Sequence, residues 1–247
     1  ESFLKANLDN IIEAKIEAKI EAKIETKIDT KIQTTGVDMK QKIAELLLQS
    51  KAIKLEPTKP FTWASGWKSP IYCDNRKTLS YPEIRSEITN AYLTVIKENF
   101  INVEAIAGVA TGAIAQGALV ADKLGLPFVY VRPVPKSHGT KNQIEGETSE
   151  NRRIVVIEDL VSTGGSSLKA VMALRDAGVN VLGMVATFTY GFPVAEENFS
   201  KHHCALHTLS DYYALLELSL ETGFIEKSQV DLLQAWRKAP ERWIYKS

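Results

Sequence analysis

Cysteine is scarce, with Cys73 and Cys204 the only two in 247 residues, which excludes the dense disulfide framework of small secreted folds. Long apolar runs are absent too: nothing approaches the roughly 18 residues of a membrane-spanning helix, and no signal-like segment stands out. No charge of one sign dominates, since 30 Lys and Arg offset 30 Asp and Glu. Neither nucleic acid nor a membrane is therefore an expected partner, and a cytoplasmic location is expected. Cys204 lies among His202, His203 and His207, but the run from His203 to His207 reads as a strand rather than a metal-ligand set. Asn198-Phe199-Ser200 fits a glycosylation sequon, idle without secretion.

What is present is apolar material, 45% of the chain, enough for one α/β domain of about 200 residues and an appendage. The appendage is residues 1–38, where isoleucine recurs at 12, 16, 20, 24, 28 and 32 in a Glu-Ala-Lys-Ile repeat. Such residues favour helix, but a spacing of four drifts about 40° per repeat around the helical turn, so the stripe could pack on a partner helix only briefly, or on its own globular domain. Nothing in it carries chemistry, and it is expected to be dispensable for activity. Asp38 reads as the cap of a helix that opens the domain at Met39, with Ile43, Leu46 and Leu47 inward.

The chain is organised around Arg152 to Ser167. Ile154 to Ile157 read as a short buried parallel strand, and Leu168, Val171 and Leu174 show helical spacing after it. Gly164 and Gly165 let the intervening loop bring its backbone close to a ligand. Ser162, Thr163, Ser166 and Ser167 add hydroxyls at a helix N-terminus, so the converging N–H groups form an anion nest. Glu158 and Asp159 would repel a phosphate if they faced it, and must address hydroxyls or a metal ion instead. A phosphate with vicinal hydroxyls nearby is a ribose 5-phosphate.

This run resembles the phosphoribosyl-pyrophosphate (PRPP) signature of the type I phosphoribosyltransferases. The resemblance implies that Glu158 and Asp159 hold the ribose hydroxyls. It also implies that Leu160, Val161, Ser162, Thr163, Gly164, Gly165 and Ser166 take the rest of the sugar phosphate, Ser162 to Ser166 cradling the 5-phosphate. Mg²⁺ is implied near the acidic pair through PRPP and water, with no direct protein ligand. The turn at Thr111-Gly112 corresponds to the family's pyrophosphate loop, although some relatives carry Tyr-Lys there.

Phe61 to Arg76 alternates about Ser65-Gly66 as a hairpin does. Its Ser65-Gly66-Trp67-Lys68-Ser69-Pro70 core resembles the substrate hood of orotate phosphoribosyltransferases. That implies Lys68, Tyr72, Cys73 and Ser162 at the base, with Ala64 where many members have a lysine and Trp67 where they have a basic residue. About twenty polar, aperiodic residues separate Val131 from Ile154, a length typical of lids. Arg132, Lys136 and His138 there form a cationic clamp suited to a departing diphosphate. With Gly139 they match the family's catalytic loop, Pro133 standing where many relatives have a second lysine. Lys136, His138 and Asp159 are the implied catalytic residues, and Arg132 joins the PRPP ligands. In the family this loop reaches a neighbouring subunit, implying a homodimer with shared sites.

The alternation from 103 to 187 specifies a doubly wound, mostly parallel sheet with ligand at the carboxyl ends of its strands. A hood at about 39–80 precedes the PRPP-binding core at 81–210. Residues 188–247 are expected to add a closing strand and two helices, capped at Asp211 and Ser228. The activity implied is phosphoribosyl transfer from PRPP to orotate, giving orotidine 5′-monophosphate and pyrophosphate in pyrimidine synthesis. The alternatives are another nucleobase transferase or a PRPP-sensing regulator without turnover.

Overall fold

A computed structural model describes residues 39–63, 66–134 and 143–243. The Ile repeat, the Asp38 cap, Ala64, Ser65, Lys136, His138, Gly139 and Lys141 lie outside the described residues.

Helix α1 (residues 39–49) buries Ile43, Ala44, Leu46 and Leu47, as its spacing requires. Two antiparallel ribbons follow: β1 (Ile53–Leu55) pairs with β4 (Ile71–Cys73), and β2 (Phe61–Thr62) with β3 (Lys68–Ser69). The β2–β3 turn is closed by Gly66, at φ 86°, whose N–H donates to the Trp63 carbonyl at 2.8 Å. A 3₁₀ segment, Asn75–Ser80, leads into α2 (Pro82–Asn99), whose first position is the proline that helix starts favour.

The core alternates β5 (Ala105–Val109), α3 (Ile114–Leu124), β6 (Phe128–Val131), the short β7 (Ile144–Glu145), β8 (Arg153–Val161), α4 (Gly165–Asp176) and β9 (Asn180–Thr189). Then come α5 (Pro193–Lys201), β10 (Leu206–Asp211), α6 (Tyr212–Glu221) and α7 (Lys227–Lys238). The six-stranded sheet runs β10-β9-β8-β5-β6-β7, parallel except for β7. Every residue of β5 is buried, as a strand covered on both faces must be. Ala105, Ala107, Val109, Ile154 and Val156 join Leu168, Val171, Leu174, Ala195 and Phe199 in one core, and the alternate residues Ile106, Val155 and Ile157 point the other way. The α3 and α4 crossovers leave the centre in opposite directions. With right-handed connections they cover opposite faces and leave a crevice between the carboxyl ends of β5 and β8.

Three expectations need correcting. The central strand continues to Val161 instead of ending near Ile157, so Leu160 and Val161 belong to the ladder; Leu160 pairs with Phe188 and Val161 with Thr189. The strand placed at His203 starts only at Leu206, because Arg175 takes the carbonyls of His202 and His203 at 2.6 and 3.0 Å and His203 turns left-handed at φ 47°. The C-terminal part holds three helices rather than two: α5 begins on Pro193. Asp211 caps α6 as read, accepting from the Tyr213 and Ala214 N–H groups, but α7 is capped by Glu226 in a box with Gln229, two residues before Ser228. Among the described residues no helix is long and apolar enough to cross a membrane.

Candidate active site

At the end of β8 two adjacent carboxylates part company, as neighbours on a strand do. Glu158 turns inward and is 4% exposed. Its Oε2 accepts from Ser167 Oγ at 2.7 Å and its Oε1 from the Asp159 N–H at 2.9 Å, tying the strand to the first turn of α4. Burial and the Asp159 charge push its carboxyl well above the ordinary range. Asp159 is half-buried and lies against Gly112 in the turn after β5; a Cβ on Gly112 would stand 2.7 Å from Oδ1 and nearer still to Oδ2. Asp159 thus lies half-buried beside the Gly112 turn, while Glu158 ties the strand to the start of α4.

The backbone carrying the pair is held from both sides. Tyr92 on α2 donates its hydroxyl to the Glu158 carbonyl at 2.7 Å and shares a 2.7 Å bond with Thr187 Oγ1. Asn75, 5% exposed, donates to the Asp159 carbonyl at 2.6 Å. Neither residue stood out in the sequence, although a tyrosine on the apolar stripe of a helix signals a buried acceptor.

Ser162 to Ser166 turn into α4 around Gly164, at φ 80°, where a Cβ would meet Phe199 Cε2 at 2.8 Å. Glycine alone fits there. Among the described residues no side chain caps α4, which leaves its leading N–H groups free for an anion. Asn198, half of the apparent sequon, donates to the Thr163 carbonyl at 2.9 Å and fixes the loop from α5. Val161, assigned to the sugar phosphate, is instead fully buried; its carbonyl accepts from Thr189 Oγ1 at 3.1 Å and the Tyr190 N–H at 3.3 Å. Arg132 follows β6 and shares a cavity of about 120 Å³ with Ala110 and Ser166, which brings it to the phosphate loop. Its Nη1 pairs with Glu145 at 3.2 Å, and its N–H donates to the Gln143 carbonyl at 2.9 Å.

Beside the acidic pair lies a second cavity, about 300 Å³, lined by Thr62, Trp63, Tyr72, Cys73, Leu160, Ser162 and Tyr190. Tyr72, Cys73 and Ser162, three of the residues expected at the base, come together here, and Leu160, expected at the sugar phosphate, lines the same cavity. Lys68 does not line it: exposed, it donates to Thr62 Oγ1 at 2.7 Å, on the rim. The Cys73 thiol donates to Asn75 Oδ1 at 3.2 Å, and burial, with Asp159 and Asp74 nearby, pushes it well up and keeps it protonated. Trp236 of α7, fully buried, meets Trp63 edge-on at 5.6 Å and donates to the Lys68 carbonyl at 3.1 Å, seating the hood on the body of the domain.

The described residues contain no group of three or more His, Cys, Asp or Glu that would cage a metal. One half-exposed carboxylate beside an anion site is instead the donor set of a Mg²⁺ ion that keeps its waters and is carried by substrate phosphates.

The phosphoribosyl transferase domain family matches residues 79–227. An orotate phosphoribosyltransferase of Porphyromonas gingivalis is 64% identical over 201 residues, covering 81% of this chain and 96% of that protein. Another, of Bacteroides thetaiotaomicron, is 59% identical over 206 residues, covering 83% and 97%. Among solved structures, the orotate phosphoribosyltransferase from Aeropyrum pernix superposes with a TM-score of 0.65 at 29% identity, over 74% of this chain and 99% of that one. These relatives are matched along nearly their whole length, and the chain belongs to the orotate phosphoribosyltransferase family.

Proposed function

We infer that this chain transfers the 5-phosphoribosyl group of PRPP to orotate, giving orotidine 5′-monophosphate and pyrophosphate in pyrimidine synthesis. The observation that carries the reading is the position of Asp159, between an uncapped helix start on one side and an aromatic cavity on the other. The N–H groups from Ser162 to Ser166 anchor the 5-phosphate, and Asp159 accepts hydrogen bonds from the ribose hydroxyls. Glu158, locked to Ser167, keeps strand and loop in register. Anchoring at both ends sets the anomeric carbon against the base nitrogen, an orientation effect worth several kcal/mol.

Displacement there builds positive charge on the sugar and negative charge on the diphosphate. Asp159 faces the first. Arg132, with Lys136 and His138 from the adjoining loop, meets the second. Asp159 would stand beside a Mg²⁺ ion brought in with the substrate, which when bound would add to the neutralisation of the diphosphate. The base lies in the hood pocket against Trp63 and Tyr72, with the Ser162 hydroxyl in reach.

An absorbance assay of orotate consumption with PRPP and Mg²⁺, run beside other nucleobases, tests the reading: turnover of orotate alone is expected. PRPP binding without turnover of any base would favour a sensing role instead. We also assign a homodimer in which the Lys136 loop completes the neighbour's site. Mixed Asp159→Asn and Lys136→Ala subunits should then recover activity that neither has alone, and no recovery would refute a shared site.

A further inference from the structure

We propose that the Tyr190 hydroxyl is a specificity-determining group for the base, donating a hydrogen bond to an oxygen acceptor of the pyrimidine in the hood pocket. The proposal rests on the reading that this pocket takes orotate.

Tyr190 follows the end of β9 and is 2% exposed. Its ring is wedged among Trp63, Phe192, Trp236 and Phe188, with centroids 5.2, 5.4, 5.7 and 5.8 Å away. The following residue is clamped as well, since Arg237 Nη2 donates to the Gly191 carbonyl at 2.6 Å. So tight a setting leaves the side chain one orientation, and the little surface it keeps belongs to the 300 Å³ pocket.

The hydroxyl is the anomaly. Two other tyrosines are fully buried, and both are satisfied: Tyr92 donates to the Glu158 carbonyl at 2.7 Å and Tyr212 to the Leu233 carbonyl at 3.1 Å. Among the described residues Tyr190 has no hydrogen-bond partner for its oxygen. Nor is that oxygen one of the enclosed unpartnered atoms, which are Thr148 Oγ1, Ser219 Oγ and Arg237 Nε. It therefore opens on the pocket. Native folds rarely leave a hydroxyl at so buried a residue unbonded unless a ligand or water completes it.

The rest of the lining narrows what the ligand brings. Cys73 spends its proton on Asn75, whereas Thr62 Oγ1 accepts from Lys68 and keeps its own proton. Among the described residues no cationic side chain lines the pocket. Thr62, Tyr72, Ser162 and Tyr190 are then its neutral donors, suited to ring carbonyl oxygens; of these Tyr190 alone is buried and fixed by surrounding rings. Burial, with Cys73, Tyr212 and Asp159 nearby, pushes the Tyr190 phenol well up, so it remains a donor at any working pH.

Tyr190→Phe isolates the claim, because it removes only an oxygen that bonds to nothing in the protein. Steady-state kinetics with orotate and PRPP, together with thermal melting, should show the orotate KM raised about tenfold and the PRPP KM within about twofold of wild type. The melting temperature should be unchanged or higher. An active wild type whose orotate KM does not move in the variant overturns this assignment alone. So does a parallel rise in both KM values with a lowered melting temperature, which would make Tyr190 a packing residue. A wild type inactive on orotate overturns the functional reading and this assignment with it.

Discussion

Gly112→Ala tests the geometry of the site with one methyl group. The glycine is needed for space and not for backbone freedom, since positive φ occurs at other glycines but not here. The added Cβ would fall 2.7 Å from Asp159 Oδ1 and within bonding distance of the rest of the carboxylate, so that group must swing away. A carboxylate that moves forfeits its bonds to the ribose, and hydrogen bonds to a charged group are worth about 1.5–3 kcal/mol each. Loss of one lowers kcat/KM for PRPP by about tenfold to a hundredfold. Stability should hardly change, because the methyl meets the end of a half-exposed side chain and alanine restricts the unfolded chain by about 0.4–1 kcal/mol. The assay is orotate consumption at varied PRPP, beside thermal melting, in wild-type and Asp159→Asn backgrounds. If the methyl acts through Asp159, it should add little once that carboxylate is gone. Costs that simply add in the double variant, or a loss of activity that tracks a fall in melting temperature, would refute the reasoning.

Asn75→Ala strips the buried Asp159 carbonyl of its donor; urea unfolding should show a loss of about 1–3 kcal/mol, with a raised PRPP KM. Trp236→Phe keeps one aromatic ring but drops the bond to the Lys68 carbonyl and leaves a void where the rest of the indole stood, costing about 1–3 kcal/mol, whereas Trp236→Ala opens the core for about 3–5 kcal/mol and should raise the orotate KM as Trp63 loses its edge contact. Burial holds the His207 imidazole below its usual range. The unfolded chain therefore takes up the proton first, so stability is constant above the ordinary histidine pKa and falls as pH drops through it towards the folded value. His207→Gln should lose less melting temperature than wild type between about pH 7.5 and pH 5.5; an equal loss would exonerate the histidine.

The parts of the site that sequence exposed are those whose chemistry is local. A β-branched run, two acids, paired glycines and a helical stripe lie within a few residues of each other, so the strand, the glycine turn and the helix after it could be read in one pass. The extent of that strand could not, because Glu158 to Val161 carry no period-two signal and are held by partners far along the chain: Ala186, Phe188 and Thr189 in the ladder, Tyr92 and Asn75 on the carbonyls. Once the strand includes both acids, alternation alone sends them to opposite sides, and Glu158 must then find Ser167. The aromatics from Phe188 to Trp236 present the opposite case. In sequence they look like packing, and most of them are: Trp236 and Phe192 support their neighbours and touch no cavity assigned to substrate. Tyr190 differs from them by one oxygen, and only the surrounding rings, by fixing where that oxygen points, turn a core residue into a reader of the base.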